Sequence, residues 1–443
     1  MKPRRMLIAA LLLAGLVAAL WWSNKQEKAK EGQPAKDAPP RILAIGADTV
    51  QKIEIQRRGE EPTTVQFNKS GKWEITRPQP LPADPVAVAG ITSAASKLDS
   101  ERLVDANATD LASYGLAPAL LEVGITQKDG KTTKLLIGEN TPTGGAVYAK
   151  LDGDPRLFTM PSASKSAFDK DSKDLRDKRL LSFSQDKLSR IEITARKQTF
   201  ELAKVGENEW QIAKPKTMRA DAAQADDLVL KLKNAVMVLG PDADAKKTAA
   251  DFASATPVAI AKVTDPSGTS TLEIRKSKDD YYAKSSGLEG AYKVGKDLGD
   301  GLDKALDDFR NKKLFDFGFS DPSRIEATDG AKTSVYDKGG DTWMLSGKKM
   351  DSTSVQAFID KLRDLTAAKF VETGFTTPVV TVTVVSNQGK RREKVEISQA
   401  ATGGNFVARH DGDASLYELT ADAVKDLRQA MGDVREAQPE KKK

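Results

Sequence analysis

The sequence predicts an α+β protein: a single N-terminal transmembrane helix followed by three tandem α+β repeats, each with a mainly antiparallel sheet packed by helices. Three observations lead there. Met6–Trp22 is an unbroken apolar run. The strand-like segments VQKIEIQ, LSRIEIT and PSRIEAT recur at steps of 138 and 134 residues, measured between Ile53, Ile191 and Ile325. Within each copy a two-residue alternation gives way to a helical period and then returns.

Lys2, Arg4 and Arg5 make residues 1–5 a basic segment ahead of the apolar run. The 17 residues of 6–22 reach the lower end of the roughly 17–25 needed to span a bilayer. Trp21 and Trp22 close the run where an interfacial aromatic anchor belongs. The run exceeds the about 7–15 residues of a cleaved signal core and ends in bulky side chains, so an uncleaved signal anchor is expected. With no cysteine in the chain, a lipid-modified N-terminus is excluded. The basic end should stay in the cytoplasm and the rest lie outside, in the periplasm of a two-membrane bacterium. Residues 23–42, polar and ending near Pro39-Pro40, read as a disordered tether, and residues 435–443 as a disordered tail.

Between them, repeats are drawn at 43–183, 184–317 and a shortened 318–434. Each carries one tryptophan in matching register, Trp73, Trp210 and Trp343, after a turn such as Ser70-Gly71 or Gly339-Gly340. One tryptophan per copy, bracketed by apolar residues, is what a core layer demands; a platform for stacking sugars is the alternative. Asp84, Asp221 and Asp351 are placed to cap a helix, with Pro85 favoured in its first turn. In the third copy Val355, Phe358, Ile359, Leu362 and Leu365 form one helical face. Strands LEVGI, TKLLIG, AVYAK and RLFTM follow in the first copy. LRDKRLLSF at Leu175 matches FRNKKLFDF at Phe309, and the third copy is expected to keep only Asp426-Leu427-Arg428 of it. The third copy is about ten residues shorter between helix and next strand.

The net charge of +6 comes from 69 basic and 63 acidic residues, interspersed along the chain, and gives no basic stripe of the kind nucleic acid requires. No cysteine and one histidine, His410, leave little for metal binding or acid–base chemistry, and His410 beside Asp411 and Asp413 reads as a solvated turn residue. Gly290–Lys296 resembles a phosphate loop, but Asp297 stands where Ser or Thr should hold magnesium, and the segment reads as part of a hairpin. Ser162-x-x-Lys165 fits a serine-acyltransferase pattern without its companion motifs, and Ser162 reads as a helix cap. The carboxylate pairs Asp152/Asp154, Asp300/Asp303 and Asp411/Asp413 flank turns. No catalytic, metal or cofactor residue is therefore assigned, and an enzyme is not expected.

IEIQRRG at Ile53, GKWEITRPQPLPADP at Gly71, LASYGLAPA at Leu111, LLIGENTPTGGAVYAKLDG at Leu135 and DLRDKRLLSF at Asp174 together resemble the domain-of-unknown-function 4340 family, with the likeness fading through the second and third copies. The resemblance implies a bacterial envelope protein with no assigned reaction, its relatives being encoded beside gliding-motility-type ABC exporters. The expectation is a non-enzymatic, inner-membrane-anchored accessory or scaffold protein with a protein partner in an envelope complex. A cell-wall or polysaccharide-binding module and a carboxylate-dependent hydrolase are the alternatives.

Overall fold

The computed structural model describes residues 40–438 apart from 207–208, 241–244, 320–321 and 401–402. The apolar run 6–22 and most of the tether and tail lie outside the described residues. Among the described residues no helix is long and apolar enough to cross a membrane.

Each repeat folds as one antiparallel sheet, and the strands are ordered alike in all three. In the first, Val50–Arg57 is central. Thr63–Phe67, Trp73–Arg77 and Leu81–Pro82 follow on one side; Leu121–Gln127, Thr132–Asn140, Ala146–Leu151 and Leu157–Pro161 follow on the other, with Arg102–Asp105 at that far edge. The four strands read from LEVGI, TKLLIG, AVYAK and RLFTM are all present. Arg190–Ala195 and Arg324–Asp329 hold the central place in the second and third sheets. The registers agree: Ile53 faces Ile125, Ile191 faces Val263 and Ile325 faces Val384.

A helix closes the apolar face of each sheet: Pro85–Ser96, Ala222–Lys233 and Ser352–Asp364. Its start is dictated by one aspartate, whose carboxylate accepts an N–H from the first turn: Asp84 from Val86 at 2.8 Å, Asp221 from Gln224 at 3.1 Å and Asp351 from Ser354 at 2.9 Å. The buried stripe of the third helix is Val355, Phe358, Ile359 and Leu362. The opposite sheet faces are polar, crossed by ion pairs such as Lys52–Glu54, Lys262–Glu192 and Arg409–Glu396. Threonine pairs, Thr194 with Thr199 and Thr328 with Thr333, recur there in matching places.

The copies diverge after that helix. The first inserts Arg102–Asp105 and a 3-10 turn at Ala112–Tyr114, the second the helix Ala245–Ser254, the third only the edge strand Lys369–Val371. In the first copy the motif residues 114–116 lie on the strand Thr132–Asn140. A β-carbon at Gly138 would sit 2.0 Å from the Tyr114 carbonyl oxygen. Gly115 adopts φ +69°, a conformation that side chains resist. The YGL and IGE residues thus lock a loop onto the sheet.

The segment DLRDKRLLSF is the joint of the architecture. Its first half closes the repeat it ends: the N–H of Asp84 donates to Leu175 O, that of Asp221 to Phe309 O and that of Asp351 to Arg435 O, each at 2.8 Å. Arg435 therefore occupies the third position of this series, and the Asp426-Leu427-Arg428 expected there lies instead in the helix Ala421–Gly432. The hydrogen bonds of the helix cap, not the short DLR string, decide the equivalence.

The second half enters the repeat that follows. Arg179 bridges to Val236 and Lys313 to Thr366. Leu180 and Leu181 join the second core, and Leu314, Phe315 and Phe317 the third. The first repeat has the same piece in Arg41–Ile45, where Arg41 pairs with Asp99 and Ile42, Leu43 and Ile45 are buried. Each pairing partner lies 15 residues beyond its helix-capping aspartate. RILAI, RLLSF and KLFDF are thus one connector in three versions, and the sequence-drawn limits at 183 and 317 fall at its end instead of its start. The described residues form two compact units, one ending at Lys178 and one running from Arg179 with the second and third sheets.

Candidate functional site

Ile53, Ile191 and Ile325 are fully buried in their sheets. Trp210 and Trp343 are 7% and 4% exposed, and Trp73 is partly buried, edge-on to Phe67 at 5.4 Å. Trp210 Nε1 donates to Asp226 at 2.9 Å. These rings fill the core and present no stacking platform for a sugar.

Four of the six turn carboxylates hold side-chain partners. Asp154 holds Arg156, which keeps its carboxyl at about 2. Asp300 accepts from Tyr281, Asp303 pairs with Arg196 and Asp413 accepts from Tyr417. The 290–296 segment differs from its expected hairpin-only context, since Lys296 begins the helix Lys296–Leu302. Yet Tyr292–Val294 in its middle is strand, paired to Asp280–Ser285, so those amides are committed to the sheet and cannot wrap a phosphate. Ser162 is the first helical residue after Pro161 and its hydroxyl caps nothing. Among the described residues no group of three His, Asp or Glu side chains is placed to hold a metal.

Among the described residues, a buried carboxylate faces a mostly buried imidazole where the connector 313–317 meets the third sheet. His410 is not a solvated turn residue: it ends the strand Phe406–His410, and its ring is 10% exposed. Its Nδ1 lies 2.6 Å from the Asp411 carbonyl oxygen, which can only accept, so Nδ1 carries a proton. Its Nε2 points to Glu393 Oε1 at 3.8 Å and has no hydrogen-bond partner among the described residues. Glu393 is 2% exposed. The same Oε1 accepts the backbone N–H of Asp316, in the connector, at 2.8 Å. Arg391 Nε stands 3.3 Å from Oε2. Burial pushes the Glu393 carboxyl up, but the facing His410 imidazole and the Arg391 charge outweigh it and hold the group below the ordinary carboxylate range.

The network extends into the second repeat. The Asp316 carboxylate accepts from Asn311 at 2.9 Å and lies 3.8 Å from Arg219 and 3.9 Å from Arg391. Arg219 also donates to Lys313 O at 2.7 Å. Arg391 reaches Glu209 at 3.7 Å. The Arg310 guanidinium sits over the Phe370 ring, 3.6 Å from its centroid, and Phe370 meets Tyr417 at 5.5 Å. Sequence reading missed this site because its members are far apart in the chain. One signal was available: Glu393 falls in two-residue register with buried Val395 and Ile397, where a charge is unexpected.

In the first unit a recess of about 200 Å³ is lined by Arg57, Glu60, Glu61, Lys170 and Asp171 among others. Its charges are mixed and Arg57 is already paired with Asp169 at 2.6 Å.

The fold and this buried joint define an α+β tandem-repeat protein whose motifs serve the architecture. Residues 73–252 and 210–384 each match the family described as Domain of unknown function (DUF4340), and the chain belongs to that family. The two matches begin at Trp73 and Trp210, one repeat apart. No curated protein matches the chain.

Proposed function

We propose that the chain is a non-enzymatic scaffold of the bacterial envelope, anchored in the inner membrane by residues 6–22 and presenting its sheets to a protein partner on the outer side. The assembly it serves is a gliding-motility-type ABC transport complex. The observation that carries this reading is the threefold use of one sheet whose apolar face is closed by its own helix and whose other face stays polar and laced with ion pairs. Repetition of one module multiplies a binding surface; it does not multiply an active site assembled once. The anchor and tether supply attachment and reach.

Two measurements test it. Alkaline phosphatase fused after Ala437 is active if the repeats are exported, and an inactive fusion with cytoplasmic protease protection overturns the topology. Crosslinking in intact membranes, followed by solubilisation in detergent, recovers transporter subunits; recovery of none overturns the partner assignment.

A further inference from the structure

The connector slot has a different chemistry in each copy. Strand register makes Asp316, Glu393 and His410 in the third repeat equivalent to Ser182, Ser270 and Ser285 in the second. In the first the positions hold Ala44, Thr133 and Leu151. The second repeat closes its slot with a neutral bond, Ser285 Oγ donating to Leu180 O. Only the third uses ionisable groups for this contact.

We infer that His410 and Glu393 form a proton-dependent latch that fixes the connector 313–317, and with it the link from the second to the third repeat, onto the third sheet. Nδ1–H is committed to the Asp411 carbonyl, so a neutral His410 turns an Nε2 lone pair toward a carboxylate oxygen at 3.8 Å. A second proton on the imidazole converts this opposition into a charge-assisted hydrogen bond. The oxygen that receives it is the one that already accepts the Asp316 N–H. Protonating Glu393 instead removes the negative charge that its partners share and leaves a neutral carbonyl oxygen as the weaker acceptor.

The groups facing the carboxylate are Arg391 on its own strand, His410 on the next and the Asp316 amide on the connector. Behind them stand the Asp316 carboxylate, Arg219 and Glu209. Arg391 keeps a cation beside Glu393 at every relevant pH, so the variable part of the latch is the imidazole. The latch is tightest with His410 charged and Glu393 ionised, and looser with His410 neutral or Glu393 protonated.

His410 is the single histidine of the chain, so its imidazole nitrogens give one resolved set of NMR signals in the full-length protein in detergent micelles. The neutral form is expected as the Nδ1–H tautomer. In the unaltered protein the Asp316 amide signal should move with the same midpoint as the imidazole. In Glu393→Gln the Asp316 amide should no longer follow the imidazole, because the carboxylate that couples the two is gone. His410→Gln should abolish the part of the Asp316 amide's pH response that follows the imidazole, leaving only the response to Glu393 at lower pH, while the amide signals of the first unit stay in place. An Nε2–H tautomer, or an Asp316 amide that ignores the imidazole titration in the unaltered protein, overturns the latch, and that second result needs no variant to fold.

Discussion

The first and third repeats receive the same five-residue connector on the same strands and line the place with opposite materials. In the first repeat the register positions matching this place hold Thr133 and Leu151; in the third, Asp316 of the connector donates to Glu393, which faces His410. The apolar anchors are shared, with Ile42 and Leu43 buried in one and Leu314 and Phe315 in the other. Adhesion thus comes from the hydrophobic residues in both, and the polar positions beside them are free to vary. A slot lined with Thr and Leu holds equally well at any pH. One lined with a buried carboxylate and an imidazole adds its own hold only in the charge state that satisfies both. A second contrast runs the same way. The end of each central strand is tied to a later helical segment by Arg57–Asp169 in the first copy and Arg196–Asp303 in the second, whereas Asp329–Arg428 in the third reverses the signs. What is kept is the tie, and the polarity is not.

The largest expected effect breaks what the repeats share. Phe315→Ala removes a side chain 1% exposed in the third core and should cost about 3–5 kcal/mol in denaturant unfolding. Leu43→Ala should cost about 2–5 kcal/mol in the first unit. Equal losses would confirm that the connector anchors do the same work in both; a loss under ~1 kcal/mol in either would separate them.

Glu393→Ala probes what they do not share. It leaves Arg391 and His410 beside an emptied, buried position and should cost roughly 3 kcal/mol. Thr133→Ala at the matching site should stay within about 0.5 kcal/mol. Comparable costs in urea unfolding would remove the contrast.

Acid sharpens it further. Glu393 is held below its ordinary value near 4.5 in the folded chain, so its stabilising contribution is complete above that value. It is lost as pH falls through the lower folded value. The second unit should therefore lose cooperativity on acidification below about 4.5, and Glu393→Gln should flatten that part of the stability–pH curve. A curve of unchanged slope in the variant would show that Glu393 is not the group responsible.

The smallest effect belongs to the exposed ties. Arg428→Ala should cost about 0.5 kcal/mol, since both partners are more than a third exposed. The double exchange Asp329→Arg with Arg428→Asp, which gives the third copy the polarity of the first, should restore it. Failure of the exchange to recover the loss in thermal unfolding would mean that the helix, and not the pair, sets the preferred sign.

The family motifs are legible in the sequence because they answer to local rules. Asp84, Asp221 and Asp351 sit where a helix must begin, and each caps it. The alternation around Ile53, Ile191 and Ile325 marks strands with one buried face, and all three are central and buried. The equal spacing of Trp73, Trp210 and Trp343 follows from one register used three times. DLR at 426–428 shows where such reading stops, because a three-residue string fits a helix as easily as a connector and only the Asp351–Arg435 hydrogen bond separates them.

The sequence by itself therefore determined the α+β class, the threefold period, the helix starts and the core strands, because each depends on residues near one another in the chain. Tertiary structure alone decided which half of DLRDKRLLSF belongs to which repeat, since that depends on the core its leucines enter. It alone made RILAI at the N-terminus the same connector as RLLSF and KLFDF. It also took a histidine beside two aspartates out of the solvent and set it against Glu393, 17 residues away in the chain. Burial and the pairing of charges are properties of the packed sheet, and no window of sequence contains them.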